Sequence, residues 1–288
     1  MELENKRVSK LLKLPVYFTV ILIVAKFLVY LKSGSIAIFS LFTDSFFDFI
    51  GSAMSLVAYR YSIREKTEKY QYGFYGIIDV VTILISVFIM ITVFFIYYEA
   101  LYNIITKRQL VYDGYAIFVM FISTIISFLL SFILQIAYDK TKLLIIKTEI
   151  AHYRADAFTN GGVLVSILIC RFVYNSFLID PVIAMIMGYY VAKPAFEVFF
   201  DAMNNILSKE IDDEIKNKIV KVIEKNKNIV GYHNFKTRKS GERIFIQLYL
   251  EINKDLSFAL AHEIVENTEN IVENLIENCE IIIHACPR

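Results

Sequence analysis

The sequence predicts a membrane protein in two parts: an all-α transmembrane domain of six helices, residues 1–207, and a C-terminal cytoplasmic α+β domain, residues 208–288. The first observation behind this prediction is composition, because 57% of the 288 residues are hydrophobic, more than a soluble domain usually contains. The second is order, because the long apolar segments stop at Leu207 and charged residues become frequent from Ser208. We therefore expect the first part to fold in lipid and the second in water.

Six apolar segments are long enough to cross a bilayer, which takes about 20 residues of helix. They are approximately Leu11–Tyr30, Ile36–Arg60, Gly76–Tyr102, Gly114–Tyr138, Lys147–Phe172 and Asp180–Leu207. No small-residue cleavage site follows the first segment, so we expect it to remain as a helix. The loop between the fourth and fifth segments is short, which predicts that these two helices are antiparallel neighbours.

Lysine and arginine are unequally divided between the two sides that six spans define. Four lie on one side, at Lys32, Lys107, Arg108 and Arg171, and eleven on the other, at Lys6, Arg7, Lys10, Lys13, Arg60, Arg64, Lys66, Lys69, Lys140, Lys142 and Lys147. The richer side is expected to face the cytoplasm. This predicts a multi-pass protein of the cell (inner) membrane, surrounded by lipid bilayer, with both termini cytoplasmic. The net charge of +1 gives no indication of a nucleic-acid partner.

The C-terminal part alternates structure types. Its predicted elements, in order, are a helix over Asp212–Asn226, strands over Val230–Thr237 and Arg243–Ile252, a helix over Ser257–Glu277 and a strand over Ile281–His284. Acidic residues begin the first helix and lysines end it, as the helix dipole favours. The order α-β-β-α-β predicts a small two-layer α+β domain.

Two pairs of ionisable residues lie inside apolar segments that are predicted to span the membrane. Asp44 and Asp48 are four residues apart in the second segment, and His152 and Asp156 are four apart in the fifth. Residues i and i+4 share a helix face, so each pair directs two side chains the same way. Such groups cost about 2.5–3.5 kcal/mol each on insertion scales and mark ion pathways. An acid paired with a buried arginine such as Arg154 is the weaker alternative, because two pairs are present.

Three carboxylates and one imidazole make a four-ligand site for a divalent metal, provided that the two helices meet. The imidazole of His152 favours Zn²⁺, Fe²⁺, Co²⁺ or Cd²⁺ over Mg²⁺ and Mn²⁺. A metal needs the neutral imidazole, and histidine titrates near neutral pH, so protons and metal compete for the site. That competition is a physical basis for proton-coupled exchange.

At this point the residues resemble a known family. The stretches Ser33–Asp48 and His152–Asn160, the six spans and the terminal α+β part are similar to the cation diffusion facilitator family. The resemblance is closest to its iron/zinc branch, to which Thr237–Gln247 is also similar. It covers nearly the whole chain.

The resemblance implies a homodimeric antiporter that exports divalent metal from the cytoplasm against proton influx by alternating access. It maps Asp44, Asp48, His152 and Asp156 onto the family's tetrahedral transport site. Zn²⁺ is the leading cargo, with Fe²⁺, Cd²⁺ and Co²⁺ as alternatives. The metal is then a substrate, so we expect neither a cofactor nor an enzymatic activity.

By the same resemblance, His233, His262 and His284 match the family's cytoplasmic metal ligands. Tyr249 stands where a bridging histidine is expected, and Cys286 where a bridging aspartate is expected. Thiolate and imidazole together suit zinc, so some of these three histidines with Cys286 are a tentative second site in a domain that would dimerise and sense metal. Isolated surface or packing histidines are the alternative.

Two other functions compete with transport. A membrane metal sensor or receptor would bind the ion without moving it. A di-metal enzyme in a helical bundle would use a Glu-x-x-His motif on each of two helices. The spans offer one such motif, Glu149 to His152, which disfavours the enzyme.

Overall fold

A computed structural model of the chain describes residues 2–33, 36–107, 114–172, 176–276 and 278–288. The chain divides into two compact units, Met1–Ala202 and Met203–Arg288. The helices of the first unit are α1 (Glu2–Leu11), α2 (Lys13–Ser33), α3 (Ile36–Ser62), α4 (Ile77–Thr106), α5 (Gly114–Thr141), α6 (Leu144–Phe172) and α7 (Ile179–Ile206), the last of which continues a few residues into the second.

Five helical segments of the described chain are long and apolar enough to cross a membrane. They are Arg7–Lys32, Leu41–Ser62, Ile77–Thr106, Ile117–Thr141 and Ile179–Ile206. Helix α6, which carries the predicted fifth span, is absent from this set since its sequence includes Lys147, Glu149, Arg154 and Asp156. The predicted helical transmembrane fold is confirmed, and α6 is the helix whose polarity sets it apart.

Helix α6 tolerates its polar residues because it is enclosed by protein. It packs against α5, α4 and α3. Around its first two turns Ile145, Ile146, Thr148 and Glu149 are all at most 1% exposed, so most of the helix surface there meets protein, and Lys147 is partly exposed. Its 29 residues span about 43 Å at 1.5 Å per residue, enough to cross the hydrocarbon core.

Close approaches and polar links hold α7 to its neighbours. A Cβ on Gly162 of α6 would lie 2.7 Å from Met187 Cγ, so glycine is required where these two helices meet. The Tyr97 hydroxyl of α4 donates to the Met185 carbonyl oxygen at 3.0 Å. Lys147 Nζ and Asp201 Oδ2 form an ion pair at 2.6 Å between the start of α6 and the end of α7.

The second unit contains α8 (Asp213–Lys225), β1 (Ile229–Ser240), β2 (Arg243–Ile252), α9 (Phe258–Leu275) and β3 (Cys279–Pro287). The strand order is β1-β2-β3, with β1 antiparallel and β3 parallel to β2. A parallel pair needs a crossover, which α9 supplies. The predicted order α-β-β-α-β is confirmed. Strand β3 is longer than predicted because it pairs with β2 along its whole length.

The core of the second unit lies on one face of the sheet. Ile246, Leu248 and Leu250 of β2 are each at most 1% exposed, and they pack with Ile219 of α8 and Val272 of α9. Side chains alternate along a strand, so the intervening residues of β2 lie on the face opposite these helices.

Cys279 is expected to resist alkylation in the folded protein. It is buried at the start of β3, and burial raises the pKa of its thiol to about 11. Only the thiolate reacts, so at pH 8 a maleimide should label Cys279 far more slowly than Cys286, which is partly exposed. Peptide mapping by mass spectrometry measures both rates. Equal labelling of the two thiols in native protein would contradict the burial of Cys279, and labelling in guanidinium serves as the control.

Candidate metal centre

Helices α3 and α6 meet at a group of three potential metal ligands. Asp48 comes from α3, and His152 and Asp156 come from successive turns of α6. One ligand atom from each side chain lies within 4.8 Å of the other two. Within the described ranges, this is the one group of three or more histidine, cysteine or acidic residues that meets this condition.

The distances in this group suit a small cation. His152 Nε2 lies 3.5 Å from Asp48 Oδ1 and 3.7 Å from Asp156 Oδ2. A tetrahedral zinc ion with bonds of about 2.0–2.2 Å separates its ligand atoms by about 3.4 Å. The observed separations are therefore within a few tenths of an ångström of a coordinated geometry.

The imidazole of His152 has an unusual position for a buried polar group. Its Nε2 is buried and makes no hydrogen bond. Buried polar atoms almost always have a partner, and one that lacks it needs a physical explanation. A cation between the imidazole and the two carboxylates supplies that explanation, because it would bind all three groups at once.

Asp44, the fourth predicted ligand, is not part of the close group. It lies one turn before Asp48 on α3, and its side chain is exposed. Four residues of helix separate the two positions by about 6 Å along the axis. Three protein ligands leave a fourth coordination position, so the ligand role of Asp44 stays a prediction.

A buried hydrogen-bonded chain lies beside the three potential ligands, and the predicted site did not include it. The Ser52 hydroxyl donates to Glu149 Oε2 at 3.0 Å and lies 2.7 Å from the Tyr153 hydroxyl. Glu149 is 1% exposed. Ser52 follows Asp48 by four residues, and Glu149 precedes His152 by three, so helical periodicity could have placed both next to the site.

Lys26 of α2 is a further buried polar residue near the site that the sequence motifs do not include. It is 4% exposed, and its Nζ donates to Ser45 Oγ at 2.6 Å. Ser45 lies between Asp44 and Asp48 on α3. A lysine inside the first apolar segment was a visible signal, because charged residues in spans are rare.

Arg154 does not neutralise the site acids in the way that the alternative interpretation required. Its side chain is exposed and donates to Gln135 Oε1 of α5 at 2.9 Å. The arginine therefore points to the periphery of the helices, and the acids face His152.

The tentative cytoplasmic site is not formed within the described part of one chain. No three of its four side chains have ligand atoms within 4.8 Å of one another. Those four residues are His233, His262, His284 and Cys286. The physical reason is Tyr249, which pairs with both His233 and His284 in the sheet. Its ring centre lies 5.3 Å from one imidazole and 4.9 Å from the other, so it fills the space between them.

His233 and His262 also contact residues outside the tentative cytoplasmic site. His233 Nδ1 lies 3.1 Å from Glu251 Oε1, and Arg288 also bonds to Glu251. The Arg288 hydrogen bond lowers the pKa of Glu251, which keeps this carboxylate charged beside the imidazole. His262 lies on α9 against the ring of Phe258. These contacts favour packing and surface roles within a single chain.

A helical membrane unit that holds carboxylates and an imidazole, followed by a small α+β unit, defines a membrane protein that handles cations. Comparison with known families agrees. Residues 12–207 match the cation efflux transmembrane domain, and residues 211–288 match the cation efflux protein cytoplasmic domain. The chain therefore belongs to the cation diffusion facilitator family.

Curated relatives match along nearly their whole length. The cation-efflux pump FieF of Shewanella oneidensis is 26% identical over 266 residues, which cover 92% of this chain and 89% of the relative. FieF of Citrobacter koseri is 24% identical over 267 residues, covering 93% and 88%. Protein p34 of Rickettsia rickettsii is 25% identical over 285 residues, covering 98% and 93%.

The three clustered ligands are expected to dominate metal binding. Replacing Asp48 with Asn should lower the affinity of the purified full-length protein for Zn²⁺ by more than the roughly 10–100-fold typical of an outer-shell partner. Asp44→Asn should have a smaller effect, because Asp44 lies outside the close group. Isothermal titration calorimetry ranks the two variants, with Asp139→Asn at the end of α5 as the matched control. The opposite ranking would place Asp44 in the site and Asp48 outside it.

Proposed function

We propose that this protein is an antiporter that exports a divalent transition-metal ion from the cytoplasm in exchange for protons. The observation that carries the proposal is the group of Asp48, His152 and Asp156, which meets inside membrane helices around a buried imidazole nitrogen that makes no hydrogen bond. The relatives named as cation-efflux pumps support the direction of transport. Ionisable residues that face one another within spans are the usual markers of an ion pathway.

The chemistry of the three ligands couples the movement of the metal to the movement of protons. A metal ion binds the neutral imidazole and ionised carboxylates, so its arrival displaces protons from His152, Asp48 and Asp156. When the site opens to the other side, protons reoccupy the same atoms and the metal leaves. Because the two cargoes exclude each other, an inward proton gradient drives outward metal movement by alternating access.

The donor set also supports the choice of cargo. One imidazole with carboxylates favours zinc-like ions over Mg²⁺ and Ca²⁺, which prefer oxygen ligands alone. We therefore propose Zn²⁺ as the leading cargo, with Fe²⁺, Cd²⁺ and Co²⁺ as alternatives. A competition assay, in which each ion is added against labelled Zn²⁺, ranks them.

We further propose a homodimer in the inner membrane with both termini in the cytoplasm. The match of residues 211–288 to the cytoplasmic domain of cation efflux proteins supports placing this unit inside the cell. The excess of lysine and arginine on the same side of the spans supports the orientation.

Transport itself is tested in proteoliposomes. Wild-type protein should accumulate Zn²⁺ when a pH gradient is imposed, and Asp156→Ala should abolish accumulation because it removes one of the three ligands. Asp139→Asn, which alters an exposed carboxylate at the end of α5, should transport like wild type. Tight Zn²⁺ binding without any flux would identify a metal receptor instead, and undiminished flux in Asp156→Ala would overturn the assignment of the site.

Proton release on metal binding tests the coupling separately. Zn²⁺ binding should release protons, because the metal takes deprotonated ligands. Calorimetric titrations in buffers of different ionisation enthalpy should therefore give different apparent binding enthalpies, and His152→Ala should reduce this dependence. Identical enthalpies in all buffers would mean that metal and protons do not compete.

A further inference from the structure

Lys26 has no role in the exchange described so far. It lies within α2, in a segment apolar enough to span the membrane, and it is 4% exposed. A lysine at membrane depth is costly on insertion scales, so its retention calls for a compensating interaction.

The ammonium of Lys26 is anchored to the part of α3 that carries the acids. Its Nζ donates to Ser45 Oγ at 2.6 Å, and Ser45 is fully buried. Ser45 lies directly after Asp44 and three residues before Asp48 on the same helix. This hydrogen bond holds the ammonium against the turn of α3 that carries Asp44 and Asp48.

Burial of Lys26 opposes its charged form, and three carboxylates on α3 and α6, those of Asp48, Asp156 and Asp44, favour it. In the deprotonated form that accepts a metal, with ionised carboxylates and a neutral His152, these groups and Lys26 together carry two formal negative charges, which one divalent cation cancels. Without Lys26 this form of the site would carry a third negative charge and would attract a divalent ion more strongly.

We propose that Lys26 is the fixed counter-charge of the metal site, which weakens the hold on the divalent ion and so speeds its release. This inference rests on the proposed metal-transport function of the same site. Lys26 does not touch the ion, and it acts through its electric field on the ligands. Repulsion between cations is strong where the effective dielectric constant is low. A transport site must bind its ion firmly enough to load and weakly enough to unload, and a tethered positive charge sets that balance.

The test removes the charge of Lys26 and keeps an unbranched side chain of similar length. Lys26→Met in the full-length protein should bind Zn²⁺ more tightly by on the order of tenfold or more, measured by calorimetry. Lys26→Arg keeps a permanent charge and should stay within about threefold of wild type. Ser45→Ala removes the anchoring bond without changing the charge, so its effect should be smaller than that of Lys26→Met. Lys32→Met, at an exposed position in the last turn of α2, is the matched control for loss of a lysine.

Flux measurements separate a charge effect from a structural one. In proteoliposomes Lys26→Met should show both a lower KM for Zn²⁺ and a lower kcat, because a tighter site fills more readily and empties more slowly. A merely damaged protein would show a higher KM or lose binding. If Lys26→Met does not yield a monodisperse protein in detergent, Lys26→Gln carries the same expectations.

The outcomes distinguish this inference from the proposed function. If wild type and Lys32→Met transport Zn²⁺ and Lys26→Met has unchanged or weaker affinity, the counter-charge role is overturned and the transport function stands. Weaker binding in Lys26→Arg with no change in Lys26→Met would show that the native lysine is uncharged, which also overturns it. If wild type neither binds nor transports Zn²⁺, the proposed function fails and this inference fails with it.

Discussion

The constraint on which the membrane unit depends is that charged groups at membrane depth must be compensated by other groups of the protein. Lipid offers no hydrogen bonds and no counter-ions, so each such group needs a partner inside the helices. In α6 the carboxylate of Glu149 accepts from Ser52, and His152 faces Asp48 and Asp156. In α2 the ammonium of Lys26 bonds to Ser45. The packing of α2, α3 and α6 follows from where these groups can meet.

The group of Asp48, His152 and Asp156 meets this constraint only in part. Full pairing of His152 with a carboxylate would stabilise the helices and leave no reason to accept an ion. The buried Nε2 of His152 makes no hydrogen bond and lies 3.5 Å and 3.7 Å from two carboxylate oxygens. These separations are slightly too wide for a hydrogen bond and close to those between the ligand atoms of a tetrahedral metal ion.

Helical periodicity in the sequence predicted the contributions of α3 and α6 to the site because each ligand pair is local to one helix. The approach of two helices and the rotation of each about its axis are tertiary properties, so Asp44 could not be separated from Asp48 beforehand. Lys26 stands alone in an apolar segment, so no local spacing linked it to the potential ligands on α3 and α6. In the second unit, the resemblance to the family identified the histidines, whereas the strand register that places Tyr249 between His233 and His284 arises from pairing across the sheet.

The polarity of α6 has a consequence for how the protein reaches its membrane. A helix with four charged residues between Lys147 and Asp156 is a poor substrate for insertion as a solitary segment. It follows α5 after a very short connection and packs closely along it. Insertion of α5 and α6 together, as a helical hairpin, avoids placing these charged side chains on a solitary helix in lipid, so the polarity of α6 favours paired insertion.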